Sequence, residues 1–362
     1  MWMILFLLLP LLGLVYAGWH VWMLVPLSWP WRAVVIALGV GAFLLMFFNL
    51  GRTIDRMPMA LARVCYDVGS SSIFVLLYLV MIFLLLDLGR LVRLVRSEWL
   101  HQNFYTTVIL LVGLFVVFLL GNIRYHQKVR ETMTLTTQKP LSKPLRLVML
   151  SDLHLGYHNP KSELSRWVDM INKEQPDFVL IAGDIIDNSV RPLIEENMAE
   201  EFHRIEAPVY ACLGNHEYYT GEPQAQQFYR EAGIHLLRDT SEVVGDVCLI
   251  GRDDRANRHR KSAAKIFGEA DHTKYTIVLD HQPYYLEQAE RAGIDFQLSG
   301  HTHRGQVWPI SWITDRIYEC SWGEFQRGNT RYYVSSGFGI WGGKFRIGTQ
   351  SEYVVCELKN EE

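Results

Sequence analysis

Thiolate chemistry is the first thing this chain has little of. Its five cysteines, Cys65, Cys212, Cys248, Cys320 and Cys356, are odd in number, widely spaced and never arranged as C-x-x-C. That pattern argues against a disulfide framework and a cysteine-rich zinc site, and it suits a reducing compartment. Strong positive charge is also missing: the formal net charge is -3, with no basic domain to bind a nucleic acid polymer. Ionisable side chains are scarce in the apolar runs of the N-terminal third, where Asp87 stands near the end of the third run. A transport path needs such groups deep in the bilayer, so an anchor is the expected role of this region. Met1, Trp2 and Met3 carry no basic side chain, and the apolar run continues past any cleavage site, so the first run is expected to stay as an anchor rather than leave as a signal peptide.

Long apolar runs are what the N-terminal third does have. Residues 2–27, 31–50, 71–89 and 105–121 each approach the roughly 20 residues that a helix needs to cross the hydrocarbon core. The expectation is an N-terminal four-helix transmembrane region over 1–122, a linker over 123–144 and a soluble domain over 145–362. Trp19, Trp22, Trp29 and Trp31 flank the first turn as interfacial anchors. Four spans place Arg52, Arg56, Arg63, Arg124, Lys128, Arg130 and Lys139 on the face of the soluble domain, against Arg32, Arg90, Arg93 and Arg96 opposite. The excess of basic residues predicts a multi-pass inner (plasma) membrane protein with that domain in the cytoplasm.

After residue 145 the pattern changes to short apolar runs that end in polar clusters. LRLVML (145–150) precedes SDLHLG, PDFVLIAG (176–183) precedes DIID, and PVYACLG (208–214) precedes NHE. YTIVLD (275–280) precedes HQP, and DFQLSG (295–300) precedes HTH. Helical segments lie between the first three, as in SELSRWVDMINKEQ with Leu164, Trp167, Val168 and Ile171 on one face. The polar residues therefore gather at strand ends, where open α/β sheets build ligand sites. Asp152, His154, Asp184, Asn215, His281, His301 and His303 offer imidazole nitrogen and oxygen donors without thiolate, a set that suits Mn, Fe(II) or Zn. A shared carboxylate can bridge two such ions about 3.5 to 4 Å apart. On strands, residues two apart share a face, so Asp-x-His and His-x-His are each expected to aim both groups at one site or at two adjacent ions.

In this order, Asp152-x-His154, Gly183-Asp184-x-x-Asp187, Gly214-Asn215-His216-Glu217, His281 and Gly300-His301-x-His303 resemble the motifs of the calcineurin-like metallophosphoesterase superfamily. The resemblance runs over about residues 145–357, and the closing segment VSSGFGIWGGKFRIGTQSEYVVCEL is similar to that of a membrane-associated bacterial branch. It implies an α/β metallophosphoesterase domain, an αββα sandwich of mixed sheets, holding two divalent metal ions. By the same resemblance Asp152, His154 and His303 hold one ion, Asn215, His281 and His301 the other, and Asp184 bridges them. A metal-bridged hydroxide would attack phosphorus, with His216 protonating the leaving oxygen or stabilising the transition state and Asp187 orienting that histidine. Members of the similar branch split UDP-2,3-diacylglucosamine, which makes a lipid-linked or nucleotide-linked phosphodiester or pyrophosphate the expected substrate and the lipid bilayer a partner. A phosphatase of phosphoproteins or small soluble phosphates, and a non-catalytic metal-dependent sensor or scaffold, are the alternatives.

Several residues stay outside that scheme. Arg304 stands where similar bacterial sequences have glycine, and is assigned either to a substrate phosphate or to the rim. The run RDDRANRHRK (252–261) reads as a solvated loop, or as a surface for a phosphate-rich substrate or anionic lipid. Trp308, Trp312, Tyr318, Trp322 and Phe325 line a pocket, touch lipid or belong to the core. His158, His203, His235, His259 and His272 receive no role, and Glu217 is expected to be structural or to support the ligands rather than to be one.

Overall fold

Apolar runs of two lengths divide the chain into two units, 1–122 with 342–344, and 123–341 with 345–362. This computed structural model describes residues 2–50 and 52–361, with side chains from residue 8 onward apart from that of residue 50. The first unit is helical: α1 (Trp2–Leu24), α2 (Trp29–Leu50), α3 (Met59–Leu91) and α4 (Phe104–His126), the last running a few residues into the second unit. Among the described residues, three helical stretches are long and apolar enough to cross a bilayer, Trp29–Asn49, Met59–Leu91 and Phe104–His126, rather than the four expected. The expected span at 2–27 begins outside the described side chains, and its described apolar part, Leu8–Leu24, is shorter. Ala17, Leu24, Phe43, Leu76 and Phe83 form the apolar core of this unit. Asp87 has two partners on α1: Tyr16 donates to Asp87 Oδ2 at 2.8 Å, and His20 Nε2 lies 3.0 Å from the same oxygen.

The second unit is built on two six-stranded sheets. One runs β1 (Lys128–Thr137), β12 (Ser351–Asn360), β2 (Leu145–Leu150), β3 (Phe178–Ala182), β4 (Val209–Cys212) and β5 (His235–Leu236). The other runs β10 (Gly323–Arg327), β11 (Thr330–Val334), β9 (Phe296–Ser299), β8 (Tyr275–Leu279), β7 (Val247–Gly251) and β6 (Thr240–Val244). Both sheets are mixed: β2, β3, β4 and β5 pair in parallel, as do β7, β8, β9 and β11, while β12 runs antiparallel to β2 and β6 and β10 run antiparallel to their neighbours. Helices α5 (Lys161–Lys173), α6 (Arg191–Glu195), α7 (Ala199–Phe202), α8 (Asn215–Thr220), α9 (Glu222–Glu231), α10 (Ala263–Gly268), α11 (Glu287–Arg291) and α12 (Ile310–Ile317) connect the strands.

Period-two alternation explains why these strands read as unbroken apolar runs. Phe178, Leu180 and Ala182 of β3 join Leu147, Met149, Leu249, Ile277, Leu279 and Leu298 in the core between the sheets. Val179 and Ile181 point the other way, into the core shared with Leu164, Trp167, Val168 and Ile171 of α5. A strand covered on both faces has no polar side to show. Each of those α5 side chains is at most 3% exposed, and burying each contributes about 1.5–3 kcal/mol.

The stretch expected as a linker, 123–144, carries β1, which pairs in parallel with β12 from Lys128↔Ser351 to Thr137↔Asn360. Its exposed residues, Arg130, Thr132, Thr134 and Thr136, alternate with an inward row, Met133, Leu135 and Thr137, that is buried. The five expected core strands correspond to β2, β3, β4, β8 and β9, and their C-terminal ends deliver the polar clusters to one place.

Candidate metal centre

Asp152, His154, Asp184, His301 and His303 all lie beyond their strands, with φ of 54°, 46°, 53°, 70° and 47°. Left-handed backbone is uncommon for residues with a Cβ and costs on the order of 1–3 kcal/mol each, so its concentration here marks a site that the fold enforces. This corrects the expectation that strand alternation aligns Asp-x-His and His-x-His. The side chains converge because alternate loop residues are turned into left-handed backbone. Glycine makes room for the carboxylates: a Cβ on Gly214 would lie 2.1 Å from Asp184 Oδ1, and one on Gly300 2.3 Å from Asp152 Oδ2.

Three groups of donor atoms result, each within 4.8 Å of one another: Asp152, His154 and His303; His154, Asp184 and His216; and Asp184, His281 and His301. His154 Nε2 lies 3.1 Å from His303 Nε2, 3.6 Å from Asp184 Oδ2 and 3.8 Å from Asp152 Oδ1. His281 Nε2 lies 3.1 Å from Asp184 Oδ2 and 3.2 Å from Asn215 Oδ1. His301 donates its backbone N–H to both oxygens of Asp152 at 3.1 Å, and His216 donates its own to Asp184 Oδ1 at 2.9 Å.

The outer ring nitrogens fix the tautomers. His281 Nδ1 faces the carbonyl of Ala182 at 2.7 Å, and a carbonyl only accepts, so Nδ1 carries a proton. His154 Nδ1 faces Asp187 Oδ1 at 3.2 Å, with the same consequence. Each Nε2 therefore turns toward carboxylate and amide oxygens within a fully buried pocket. Lone pairs facing one another require a cation between them: either a proton on the imidazole or a metal ion. Carboxylate- and carbonyl-bonded imidazoles of this kind are the usual support of a metal ligand, and the nitrogen and oxygen set fits a divalent ion of the Mn, Fe or Zn type.

Electrostatics point the same way. Burial disfavours charge on His154, yet the carboxylates of Asp152 and Asp187 outweigh it and raise its pKa to about 10. His301 lacks such close partners, and burial lowers it to about 4. At His216 burial also acts against charge, but the Asp184 carboxylate raises its pKa above the usual imidazole value.

Asp187 touches both histidines. Its carboxylate Oδ1 lies 3.2 Å from His154 Nδ1 and 3.4 Å from His216 Nδ1, and its backbone carbonyl takes His216 Nδ1 at 3.0 Å. The side chain therefore positions two rings rather than the one expected. Arg304 also has left-handed backbone, φ 48°, and its guanidinium carbon lies 4.1 Å from the Trp322 ring. The run 252–261 is not simply solvated: Arg252, Asp253 and Asp254 are buried, and Arg252 donates to Asp280 Oδ2 at 2.7 Å beside His281. The acids of the run turn inward and pair, Asp253 with Arg238 at 2.7 Å and Asp254 with Gln282 at 2.9 Å.

Three further side chains support the site: Glu217, expected as structural or as a support of the ligands, and Arg346 and Asn159, to which the sequence assigned no role. Glu217, 0% exposed, accepts the backbone N–H groups of Asp184 at 3.1 Å, Ile186 at 3.0 Å and Gly214 at 2.7 Å. Arg346, 1% exposed, donates to the His303 carbonyl at 2.8 Å and to that of Ser336 at 2.6 Å, and burial lowers its pKa to about 10. Asn159 donates to the carbonyls of Leu153 at 3.1 Å and His154 at 3.0 Å. A glutamate two residues after a ligand asparagine and an arginine in a glycine-rich run were the available signals. The remaining histidines have other partners: His203 the Glu231 carbonyl, His272 the Phe267 carbonyl, His235 the Tyr210 ring and His158 the Ile340 carbonyl, while His259 is exposed.

The calcineurin-like phosphoesterase family profile matches residues 145–305. An uncharacterized metallophosphoesterase of Campylobacter jejuni is 31% identical over 260 residues, which cover 70% of this chain and 69% of that protein. A transmembrane protein with metallophosphoesterase domain from Danio rerio is 30% identical over 357 residues, covering 91% of this chain and 80% of that protein. An uncharacterized metallophosphoesterase of Helicobacter pylori is 32% identical over 228 residues, covering 60% of each chain.

Proposed function

The chain belongs to the calcineurin-like metallophosphoesterases and is a metal-dependent phosphoesterase, and from that premise we propose that it cleaves a phosphodiester or pyrophosphate bond in a lipid-linked or nucleotide-linked substrate such as UDP-2,3-diacylglucosamine. The observation that carries the reading is the meeting of two donor groups at Asp184, whose carboxylate lies within 3.6 Å of His154 and 3.1 Å of His281. Asp152, His154 and His303 would hold one divalent ion and Asn215, His281 and His301 a second, with Asp184 between them. Bound ions supply Lewis acidity at the phosphoryl oxygens and a water acidic enough to attack at neutral pH. His216 keeps Nδ1 on the Asp187 carbonyl, which leaves Nε2 to give a proton to the leaving oxygen.

Two arginines support a substrate richer in phosphate than a simple monoester. The guanidinium carbon of Arg255 lies 4.1 Å from the Tyr284 ring, and Tyr284 leads through Tyr318, hydroxyl to hydroxyl at 3.1 Å, toward His301. Arg304 stacks on Trp322 beside His303, and its buried Nε has no hydrogen-bond partner. Arg252, also stacked on a ring, is neutralised by Asp280, whereas among the described residues no carboxylate pairs with Arg255 or Arg304. A stacked guanidinium without an acid keeps its donor fork for a phosphate.

The membrane helices support a substrate met at the bilayer. The basic residues that favour a cytoplasmic catalytic unit all lie after α1, so the seven-to-four balance does not depend on whether α1 crosses. Proteolysis of that unit in inside-out but not right-side-out vesicles checks the face. The activity test uses the purified full-length protein loaded with Mn(II), offered bis(p-nitrophenyl) phosphate, p-nitrophenyl phosphate and a UDP-linked glycolipid side by side. Turnover of the monoester alone refutes the diester and diphosphate reading, and unchanged turnover in Asp184→Ala refutes the shared-carboxylate centre.

A further inference from the structure

Helix α12 turns the wrong face outward for a protein surface bathed only in water. Its buried residue is Ser311, whereas Trp312, Ile313 and Ile317 are 66%, 56% and 60% exposed. Trp308 continues the patch, with its ring in edge contact with Trp312 at 5.4 Å. The patch adjoins the metal centre: the turn His303–Gly305 packs so tightly on α12 that a Cβ at Gly305 would lie 2.5 Å from the Ile310 backbone. Contiguous exposed apolar side chains of this size mark an interaction surface.

Charge selects the partner. Asp315 is engaged by the Ser321 hydroxyl, and Glu319, just past the helix, pairs with Arg327. Arg316 is the exposed charge on α12 that no carboxylate answers, among the described residues. Tryptophan and isoleucine on an exposed face, with arginine beside them, are the composition of a helix lying in the plane of a lipid interface. Anionic headgroups complement the arginine. A bilayer is at hand, because the same chain carries three helices able to cross one.

We propose that α12 docks on an anionic lipid surface, with Trp312, Ile313 and Ile317 among the acyl chains and Arg316 at the headgroups. The side of the metal centre formed by His303 then sits at headgroup depth, where a lipid-borne phosphate lies. That last consequence rests on the phosphoesterase reading above; the docking itself does not.

The test places a nitroxide at position 317 through Ile317→Cys in the full-length protein, reconstituted in phosphatidylcholine vesicles containing phosphatidylglycerol. The five native cysteines are buried, so the label takes the new thiol. Oxygen is expected to reach position 317 better than a water-soluble nickel chelate does, and the order to reverse at Gln227→Cys on the exposed face of α9. Equal nickel access at both positions overturns the proposal. In a second arm, the combined Trp312→Ser, Ile313→Ser and Ile317→Ser variant is expected to lose about tenfold in rate on a phosphatidyl p-nitrophenyl diester held in vesicles. Its rate on soluble bis(p-nitrophenyl) phosphate is expected to stay within about twofold of the parent. An equal loss on both substrates, or none on either, counts against the docking role. If the parent protein hydrolyses neither diester, the substrate reading fails while the nitroxide result still decides the docking.

Discussion

Glu217 holds Asp184 by the backbone: its Oε2 accepts the Asp184 N–H at 3.1 Å, and the same carboxylate accepts the N–H groups of Ile186 and Gly214. The loop after β4 is thereby clamped to the loop after β3, and the central carboxylate of the donor set is fixed by a residue that need not touch a metal. Burial raises the Glu217 pKa, while the donors from Ile186 and Gly214 favour its charged form. Glu217→Ala strands three buried N–H groups, each costing about 1–3 kcal/mol. The expected outcome is a fall of several degrees in the thermal midpoint together with weaker Mn(II) binding, read by calorimetry and by metal titration. A drop in stability with unaltered metal affinity would limit Glu217 to a structural role.

Asp187 is expected to act on kcat and on metal affinity together, because its carboxylate serves both His154 and His216. Asp187→Asn keeps the shape but replaces an acceptor with an amide that can present a donor to either Nδ1. Partners of metal-bound histidines contribute about 10- to 100-fold in affinity or activity. A loss of that size in kcat with unchanged metal binding would confine Asp187 to His216, and a loss in binding alone would confine it to His154.

The physical origin of each signal explains what the sequence disclosed. Strands β2, β3, β4, β8 and β9 were legible because both faces are buried, which leaves unbroken apolar runs punctuated by polar turns. Helix α5 was legible from its periodic face, and the donor residues from their types and order. The way the donors converge was not: nothing in the letters distinguishes a histidine at φ 46° from one in a strand. Strand β1 was hidden because an edge strand shows nearly half its residues to solvent, here Arg130, Thr132, Thr134 and Thr136. His20 escaped notice because a lone histidine in an apolar helix gains meaning only when Asp87 is seen beside it.

Arg255 and Arg304 are expected to sort substrates by phosphate number. Arg255→Ala should raise KM for a nucleoside-diphosphate-linked substrate by roughly tenfold, equivalent to about 1.4 kcal/mol, with little effect on bis(p-nitrophenyl) phosphate. Arg304→Gly is expected to do the same from the His303 side. Parallel kinetics on the two substrates check both. Equal effects on each would mean that the arginines shape the site without meeting a second phosphate.

Asp87 is expected to stabilise the helical unit without touching catalysis. Its Oδ2 gathers the Tyr16 hydroxyl and His20 Nε2 from α1, and the His20 ring stacks on Phe83 of α3 at 4.6 Å. These polar bonds join the Ala17 and Leu24 contacts in attaching α1 to its neighbours. Asp87→Ala removes the acceptor and leaves His20, 4% exposed, with an unpaired ring nitrogen, at a cost on the order of 1–3 kcal/mol. Thermal unfolding of the full-length protein in detergent should therefore shift downward, and proteolysis near residue 27 should quicken. The rate of the folded protein on soluble bis(p-nitrophenyl) phosphate should not change. A matching loss of that rate would show that the α1–α3 bond reaches the metal centre, and an unchanged unfolding curve would show that apolar packing alone holds α1.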